Sequence, residues 1–337
     1  MMDDDSQLAD DVNSRLQFRS GSTIRSYLEL MRLPNVFTAM ADVAMGFLFV
    51  QSSGWQWDPW RDSWTLALLI AASSLLYISG VVLNDVFDLE IDREQRPERP
   101  LPSGRVSLWA ARLLGWKLLV LGMLLGVGGV SVGTGGGFFA GHLGSGAVAP
   151  LLAACILTYD AWLKRTPIGP LAMGACRMLN VLLGMSALGV RLPADCWLVA
   201  GGIGVYVAGV TWFARREAGQ SSRLQLTLST LVMVLGIAML AAFPNWSDRM
   251  IPVGVAIDLR QWYLWTAVLG VLIVWRCLWA ILDPIPARVR MAVALCVLSI
   301  VMLDAVVCFA VGHVFGAGMI LLLLLPALFL GRWIETT

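Results

Sequence analysis

The chain has 337 residues, of which 58% are hydrophobic and 14% charged, and its formal net charge is +1. Soluble domains carry about 25% charged residues, so the solvent around most of this chain is lipid. The near-zero charge excludes a nucleic-acid partner, since neutralising phosphates takes a clustered basic excess.

Residues 1–29 run from acidic to basic with no apolar core beside the start, and read as a flexible cytosolic tail rather than a cleavable signal peptide. Residues 30–333 read as one all-α transmembrane domain, because no linker is long or polar enough to divide them. A spanning helix needs about 20 mostly apolar residues. That length predicts ten spans, roughly Val36–Val50, Trp64–Leu83, Leu108–Val130, Val148–Leu163, Leu171–Val190, Cys196–Phe213, Leu224–Phe243, Trp262–Leu282, Met291–Val311 and Phe315–Leu330. Only a break at Gly312 and His313 separates the last two, so nine spans with a re-entrant tail is the alternative.

Cytoplasmic loops retain Lys and Arg. Arg93, Arg96, Arg99, Arg105 and Arg112 follow the second span, Lys164 and Arg165 the fourth, Arg215, Arg216 and Arg223 the sixth, and Arg288 and Arg290 the eighth. The intervening loops hold only Arg61, Arg191, Arg249 and Arg260. This asymmetry puts the N-terminus and the Arg-rich loops in the cytosol, and Arg332 joins them if there are ten spans.

The second span ends in Asn84-Asp85-Val86-Phe87-Asp88-Leu89-Glu90-Ile91-Asp92. On a continuous helix Asp85, Asp88 and Asp92 fall within about 60° of one another, so three carboxylates share one face, with Asn84 at its edge. Like charges clustered at a membrane boundary need a compensating cation. Mg²⁺ suits them, because it takes one or two carboxylates and completes its shell with water and substrate phosphate. The structural alternative is a solvated helix end whose carboxylates pair with Arg93, Arg96 and Arg99. The next segment, Arg96-Pro97-Glu98-Arg99-Pro100-Leu101-Pro102-Ser103-Gly104-Arg105, is a proline-stiffened loop with three arginines, whose forked guanidinium groups suit diphosphate oxygens.

The pattern N-D-x-x-D-x-x-x-D-x-x-x-R-P-x-R-P-L-P-S-G resembles the UbiA superfamily of intramembrane prenyltransferases. Arg32-Leu33-Pro34-Asn35 at the first span, Tyr159, Asp160 and Lys164 after the fourth, and Arg177, Asn180 and Gly184 in the fifth extend the resemblance over about residues 30–330. It implies nine or ten transmembrane helices around a central cavity, capped on the cytosolic side by polar loops. It also implies Mg²⁺-dependent transfer of a polyprenyl group from an isoprenoid diphosphate to a lipophilic acceptor, usually aromatic. In that scheme Asp85, Asp88 and Asp92 hold Mg²⁺ and Asn84 supports them. Lys164, Arg96 and Arg99 neutralise the phosphates, Asn35 lines the cavity, and Tyr159, Arg177 and Asn180 complete the substrate site.

Members of the superfamily carry a second acidic motif, D-x-x-x-D followed four residues later by Gly. Aligned on Gly219 and Ser222, this chain has Thr211 and Arg215 at those aspartates, and Glu217 is about 160° round the helix from Arg215. Three readings follow: Arg215 binds the diphosphate in place of a second metal; the protein binds the lipid without ionising it, as a carrier or subunit; or Arg215 and Arg216 only anchor the helix at the headgroups. The T-W-F-A-R-R-E form of the stretch resembles the EboC-type branch. A transporter, the reading from another class, predicts internal repeats and midplane polar sites, whereas the polar residues here gather at one membrane face.

Asp42 and Asp304 lie inside spans, where an ionisable group is costly. Asp42 shares a helical face with Asn35, within reach of the cavity, and for Asp304 the one candidate partner is Arg276 across helices, as a structural pair or as part of a site. The isolated His142 and His313 do not suggest a metal site. The six cysteines read as small buried hydrophobes. Trp55, Trp57, Trp60, Trp64 and Trp262 read as an interfacial belt. Gly133-Thr134-Gly135-Gly136-Gly137 lacks the Lys and Ser/Thr of a phosphate loop.

Overall fold

A computed structural model describes residues 24–51, 57–134, 146–189, 192–215, 222–247 and 259–335, and every regular element among them is helical. The first helix, α1, covers 24–31, inside the segment expected to be a flexible tail. It is held because Ser26 and Leu30 are buried and Glu29 takes a bidentate ion pair from Arg105 at 2.7 and 3.1 Å. The expected flexible tail up to residue 29 is therefore corrected over residues 24–29, which are helical and packed. Residues 1–23 lie outside the described ones, as do His142, Arg216 and Glu217.

The spans follow as α2 (Val36–Val50), α3 (Arg61–Phe87), α5 (Leu108–Thr134), α6 (Val148–Ala161), α7 (Gly169–Met185), α8 (Ala194–Ala214), α9 (Arg223–Ala242), α10 (Leu259–Leu282) and α11 (Pro286–Ala310). Two short helices, α12 (Val314–Leu322) and α13 (Leu324–Glu335), complete the tenth. Eight segments are long and apolar enough to cross a membrane, while α6 and α7 are apolar but shorter. The α12–α13 segment packs on α11 and α2 and returns to the 3-10 turn Leu33–Asn35. A segment that begins beside the end of α11 and finishes at the start of α2 crosses the bundle, which favours ten crossings over nine with a re-entrant tail.

Local chemistry sets the ends of α3. Asp58 Oδ1 accepts the Trp60 and Arg61 amides at 3.0 Å each, while the Asp58 amide donates to Asp62 Oδ2. This reciprocal cap satisfies donors a helix start leaves free, and the Arg61 amide holds the exposed Asp58 carboxyl below its ordinary pKa. At the other end the helix breaks at Asp88, which has φ −95° and ψ 4°, and restarts as α4 (Leu89–Gln95). The loop beyond turns on Gly104, whose φ of 74° suits a residue without a Cβ, and the Ser107 hydroxyl caps α5 through the Ala110 amide.

Glycines bring α2 and α7 into backbone contact. A Cβ on Gly184 would run into the Val43 carbonyl, and one on Gly46 into the Val181 carbonyl. Where lipid offers no hydrophobic drive between helices, small residues at the crossing let dispersion do the packing. Gly184→Ala is therefore expected to destabilise the detergent-solubilised protein by about 1–3 kcal/mol. An unchanged thermal midpoint would mean that the two helices separate without cost.

At the opposite end of the bundle from the arginine-rich loops, Phe243 packs edge-on between Phe49 and Trp262, with ring centroids 5.5 and 5.0 Å away. Trp57, Trp60 and Trp64 are exposed, as an interfacial belt requires. Trp262 is not: it is buried, and its Nε1 donates to the Ala241 carbonyl at 3.0 Å. Its ring completes the aromatic stack, so it is a core residue.

Candidate active site

A cavity of about 260 Å³ opens between α2, α3, α6 and α7. Leu76, Val81, Leu152, Ile156 and Met173 make its wall largely apolar, and none of its lining residues comes from α8–α13. Polar groups gather at the mouth, where α3 breaks and the loops after α4 and α6 meet.

The break splits the expected row of carboxylates into two clusters. Asp85 Oδ1 takes Arg32 at 2.6 Å and Arg99 at 3.5 Å, and Arg99 reaches on to Asp92 Oδ2 at 2.7 Å. Asp88 faces the other way, with Lys164 on Oδ2 at 2.7 Å and Arg165 on Oδ1 at 3.1 Å. Lys164 also donates to Asn84 Oδ1 at 2.8 Å. One physical cause is that Arg165 donates to the Phe87 carbonyl as well as to Asp88, satisfying an acceptor at the end of the broken helix. The expectation of three carboxylates on one continuous face is corrected accordingly.

Arg32 reaches Asp85 because its backbone is left-handed, with φ 44°, the one non-glycine residue with positive φ among those described. Such a conformation costs about 1–3 kcal/mol and persists only where its surroundings determine it. The ion pair and the rigid Leu33–Pro34 turn supply that determination.

Deeper in the cavity wall, Arg177 bonds Asp42 Oδ2 and Thr38 Oγ1, each at 2.7 Å, and lies 5.7 Å over the Tyr77 ring. Asn180 donates to the Ala39 carbonyl at 2.9 Å and accepts Ser73 Oγ at 2.7 Å. Arg177 and Asn180 thus line the cavity as expected, while Asp42 is fully buried behind them. Asp304 lies beside Asp42 and Arg177 rather than Arg276, and neither of its carboxylate oxygens has a hydrogen-bond partner among the described residues.

Three expected site residues stand apart. Asn35 is exposed at the rim beside Tyr77 and is not among the lining residues, because the 3-10 turn carries it outside α2. Arg96 is exposed without an ion-pair partner among the described residues, since the Pro97 turn directs the chain so that only Arg99 folds back. Arg93 pairs with its neighbour Glu90 instead. Arg215 is exposed and donates to the Thr166 and Pro167 carbonyls at 2.8 and 3.4 Å. It therefore braces the loop that carries Lys164 and makes no ion pair with the carboxylates among the described residues. Thr211 bonds back to the Val207 carbonyl in its own helix.

Arg32, Ser73, Tyr77, Asp160 and Arg165 also belong to the cavity or its mouth, although the sequence reading assigned them no role in the site. Arg32 and Asp160 do stand inside or beside recognisable motifs, which was the available signal. Four of the cysteines, expected to be small buried hydrophobes, form two close pairs, Cys155–Cys176 at 3.3 Å and Cys277–Cys296 at 3.8 Å between sulfurs.

Among the described residues no three acidic, histidine or cysteine side chains stand close enough to enclose a metal ion. The donor set fits Mg²⁺ in kind, as an incomplete site. Asp85, Asp88, Asp92 and the Asn84 amide oxygen are all hard oxygen donors at one mouth, and Mg²⁺ leaves most of its octahedron to water and substrate phosphate.

The chain is 39% identical over 92 residues to the digeranylgeranylglyceryl phosphate synthase of Sulfurisphaera tokodaii, a stretch covering 27% of this chain and 31% of that protein. Against the enzyme of the same name from Ignicoccus hospitalis it is 33% identical over 165 residues, 49% of this chain and 48% of that one. The chain therefore spans from 31% to 48% of the length of these curated relatives. Among solved structures, a UbiA homolog from Archaeoglobus fulgidus bound to GPP and Mg²⁺ has a TM-score of 0.53 at 14% identity, covering 83% of this chain and 99% of that one. The apo UbiA homolog of Aeropyrum pernix K1 has a TM-score of 0.59 at 19% identity, with 80% and 96% covered. The family model described as "UbiA prenyltransferase family" matches residues 43–288. With that match over most of the chain and the same helical fold, this protein belongs to the UbiA prenyltransferase family.

Proposed function

We propose that the protein transfers a polyprenyl group from an isoprenoid diphosphate to a lipophilic acceptor within the membrane, with the cavity mouth facing the cytosol. The observation that carries this reading is the union of an apolar cavity with a mouth bearing Asp85, Asp88 and Asp92 among Arg32, Arg99, Lys164 and Arg165. The cavity suits the hydrocarbon and the cations suit phosphate oxygens. Asp85, Asp88 and Asp92 would hold Mg²⁺, which when bound supplies countercharge to a departing pyrophosphate. Lys164 sits where it stabilises charge on that leaving group, Arg32, Arg99 and Arg165 share the task, and Tyr159 lines the passage inward. The apolar wall keeps water from the allylic cation. Arg215 contributes indirectly, by holding the Lys164 loop.

Relatives named digeranylgeranylglyceryl phosphate synthase support a glycerophosphate-type acceptor already bearing one prenyl chain. An aromatic acceptor is the competing reading. Purified protein in nanodiscs should be given labelled geranyl, farnesyl and geranylgeranyl diphosphates with Mg²⁺ and, in parallel, geranylgeranylglyceryl phosphate or 4-hydroxybenzoate. The wild type is expected to bind at least one donor and release pyrophosphate, and chelating the metal to lower that release about 100-fold. Asp88→Ala should weaken donor binding, and equal binding by it and the wild type would remove the site. Binding without release under every condition favours a carrier.

A further inference from the structure

We infer that Asp160 is a further catalytic residue, the carboxylate that takes the proton from the acceptor as it is prenylated. The inference rests on the prenyl-transfer reading above.

Asp160 lies near the end of α6 and lines the cavity, yet only 4% of its surface is accessible. Its Oδ2 has no hydrogen-bond partner among the described residues. A buried carboxylate oxygen without a partner is costly, and in a folded protein it calls for a reason. The three motif aspartates cannot take its role, because each is already held by Arg32, Arg99, Lys164 or Arg165. Asn180, the polar group on the facing wall, is committed to Ser73 and the Ala39 carbonyl.

Oδ2 itself is enclosed by the opposite wall, while the Asp160 side chain lines the cavity beside it. Gly80 of α3 faces it, and a Cβ there would sit 3.6 Å from Oδ2 and only 2.8 Å from Ile156 Cγ2. A side chain at position 80 would crowd this wall, so glycine lets the carboxylate line the cavity with Oδ2 unpaired among the described residues. Asp160 also lies four residues before Lys164, so the proton acceptor and the leaving-group cation flank the same space from one connection.

The transfer balances without any further reactant. The C1–O bond of the donor breaks and its electron pair leaves on pyrophosphate. The acceptor atom, a hydroxyl oxygen or an aromatic carbon, forms the new bond to C1. The proton that the acceptor atom loses passes to an Asp160 oxygen and then to water at the mouth. Ionisation of the donor needs no base, so the two halves of the reaction are separable.

Asp160→Asn keeps the shape of the side chain and removes the basic oxygen. The variant is expected to bind the labelled donor within about threefold of the wild type and to release pyrophosphate equally well without acceptor. Prenylated acceptor should fall at least about 100-fold, and the donor carbon should appear instead as the free prenyl alcohol. A fall smaller than about tenfold overturns the inference, and so does loss of donor binding together with transfer, which would make Asp160 part of the donor site or of the fold. A wild type that forms no product with either acceptor would instead sink the prenyl-transfer reading.

Discussion

Replacing Lys164 with Met should lower Mg²⁺-dependent pyrophosphate release by about 100- to 1,000-fold, the range found when one preorganised donor to a developing charge is removed. Lys164 bridges Asp88 at 2.7 Å and Asn84 at 2.8 Å, and its side chain is 11% exposed. Its charge therefore acts in a site with little water to screen it. The thermal midpoint should move little, since Arg165 and the partial exposure of Asp88 still compensate that carboxylate. Lys164→Arg should restore part of the rate, and Arg215→Ala, which loses only carbonyl contacts, should cost about tenfold or less. A Lys164→Met enzyme as fast as the wild type would place the leaving-group charge elsewhere.

Replacing Asp42 with Ala should destabilise the protein by about 3–5 kcal/mol, the cost of leaving a buried partner charge uncompensated. Asp42 is fully buried, and Arg177, with 12% of its side chain exposed, has no other carboxylate bonded to it. Removing both charges together, as Asp42→Ala with Arg177→Met, should recover most of the loss, and the double-mutant cycle reads the coupling directly. Asp304→Asn is the control. Asp304 lies beside Asp42 and Arg177, so the cost of this change is expected to be smaller than that of Asp42→Ala and to report how much of the Arg177 charge it balances. Equal midpoints for wild type and Asp42→Ala, measured by thermal unfolding in detergent, would mean that water or lipid reaches Arg177.

Both predictions depend on contacts the sequence does not display. Lys164 and Asp88 are 76 residues apart, and Arg177 and Asp42 are 135 apart. A single sequence carries local pattern, and a pairing at that separation exists only once helices pack. The Gly46–Gly184 crossing fixes how α2 faces α7, and so decides that Asp42 meets Arg177. Arg276 was a candidate partner for Asp304 for the same reason: helix position is legible in the sequence, but rotation about the axis is not.

The break at Asp88 shows a second limit. Helical periodicity put three carboxylates on one face, and it would have been right for an unbroken helix. Competing bonds from Arg165 to Asp88 and the Phe87 carbonyl accompany the end of that helix. Arg215 was legible as a cation in place of an acidic motif, but its partners, the Thr166 and Pro167 carbonyls, belong to another loop.

What the sequence determined by itself was set by local rules. Span lengths follow from the thickness of hydrocarbon, and the ten apolar segments recur as helices in the structure. The acidic run and the arginine-proline loop after it announced a site for charge at one end of α3, and their spacing was enough to identify the family. Tertiary structure alone decided which cation holds each carboxylate, that Arg215 braces the loop carrying Lys164, and that Asp160 keeps an unpaired oxygen opposite Gly80. The reason is common to all three: each depends on the rotation and depth of helices relative to one another, which close backbone packing sets and local sequence pattern does not encode.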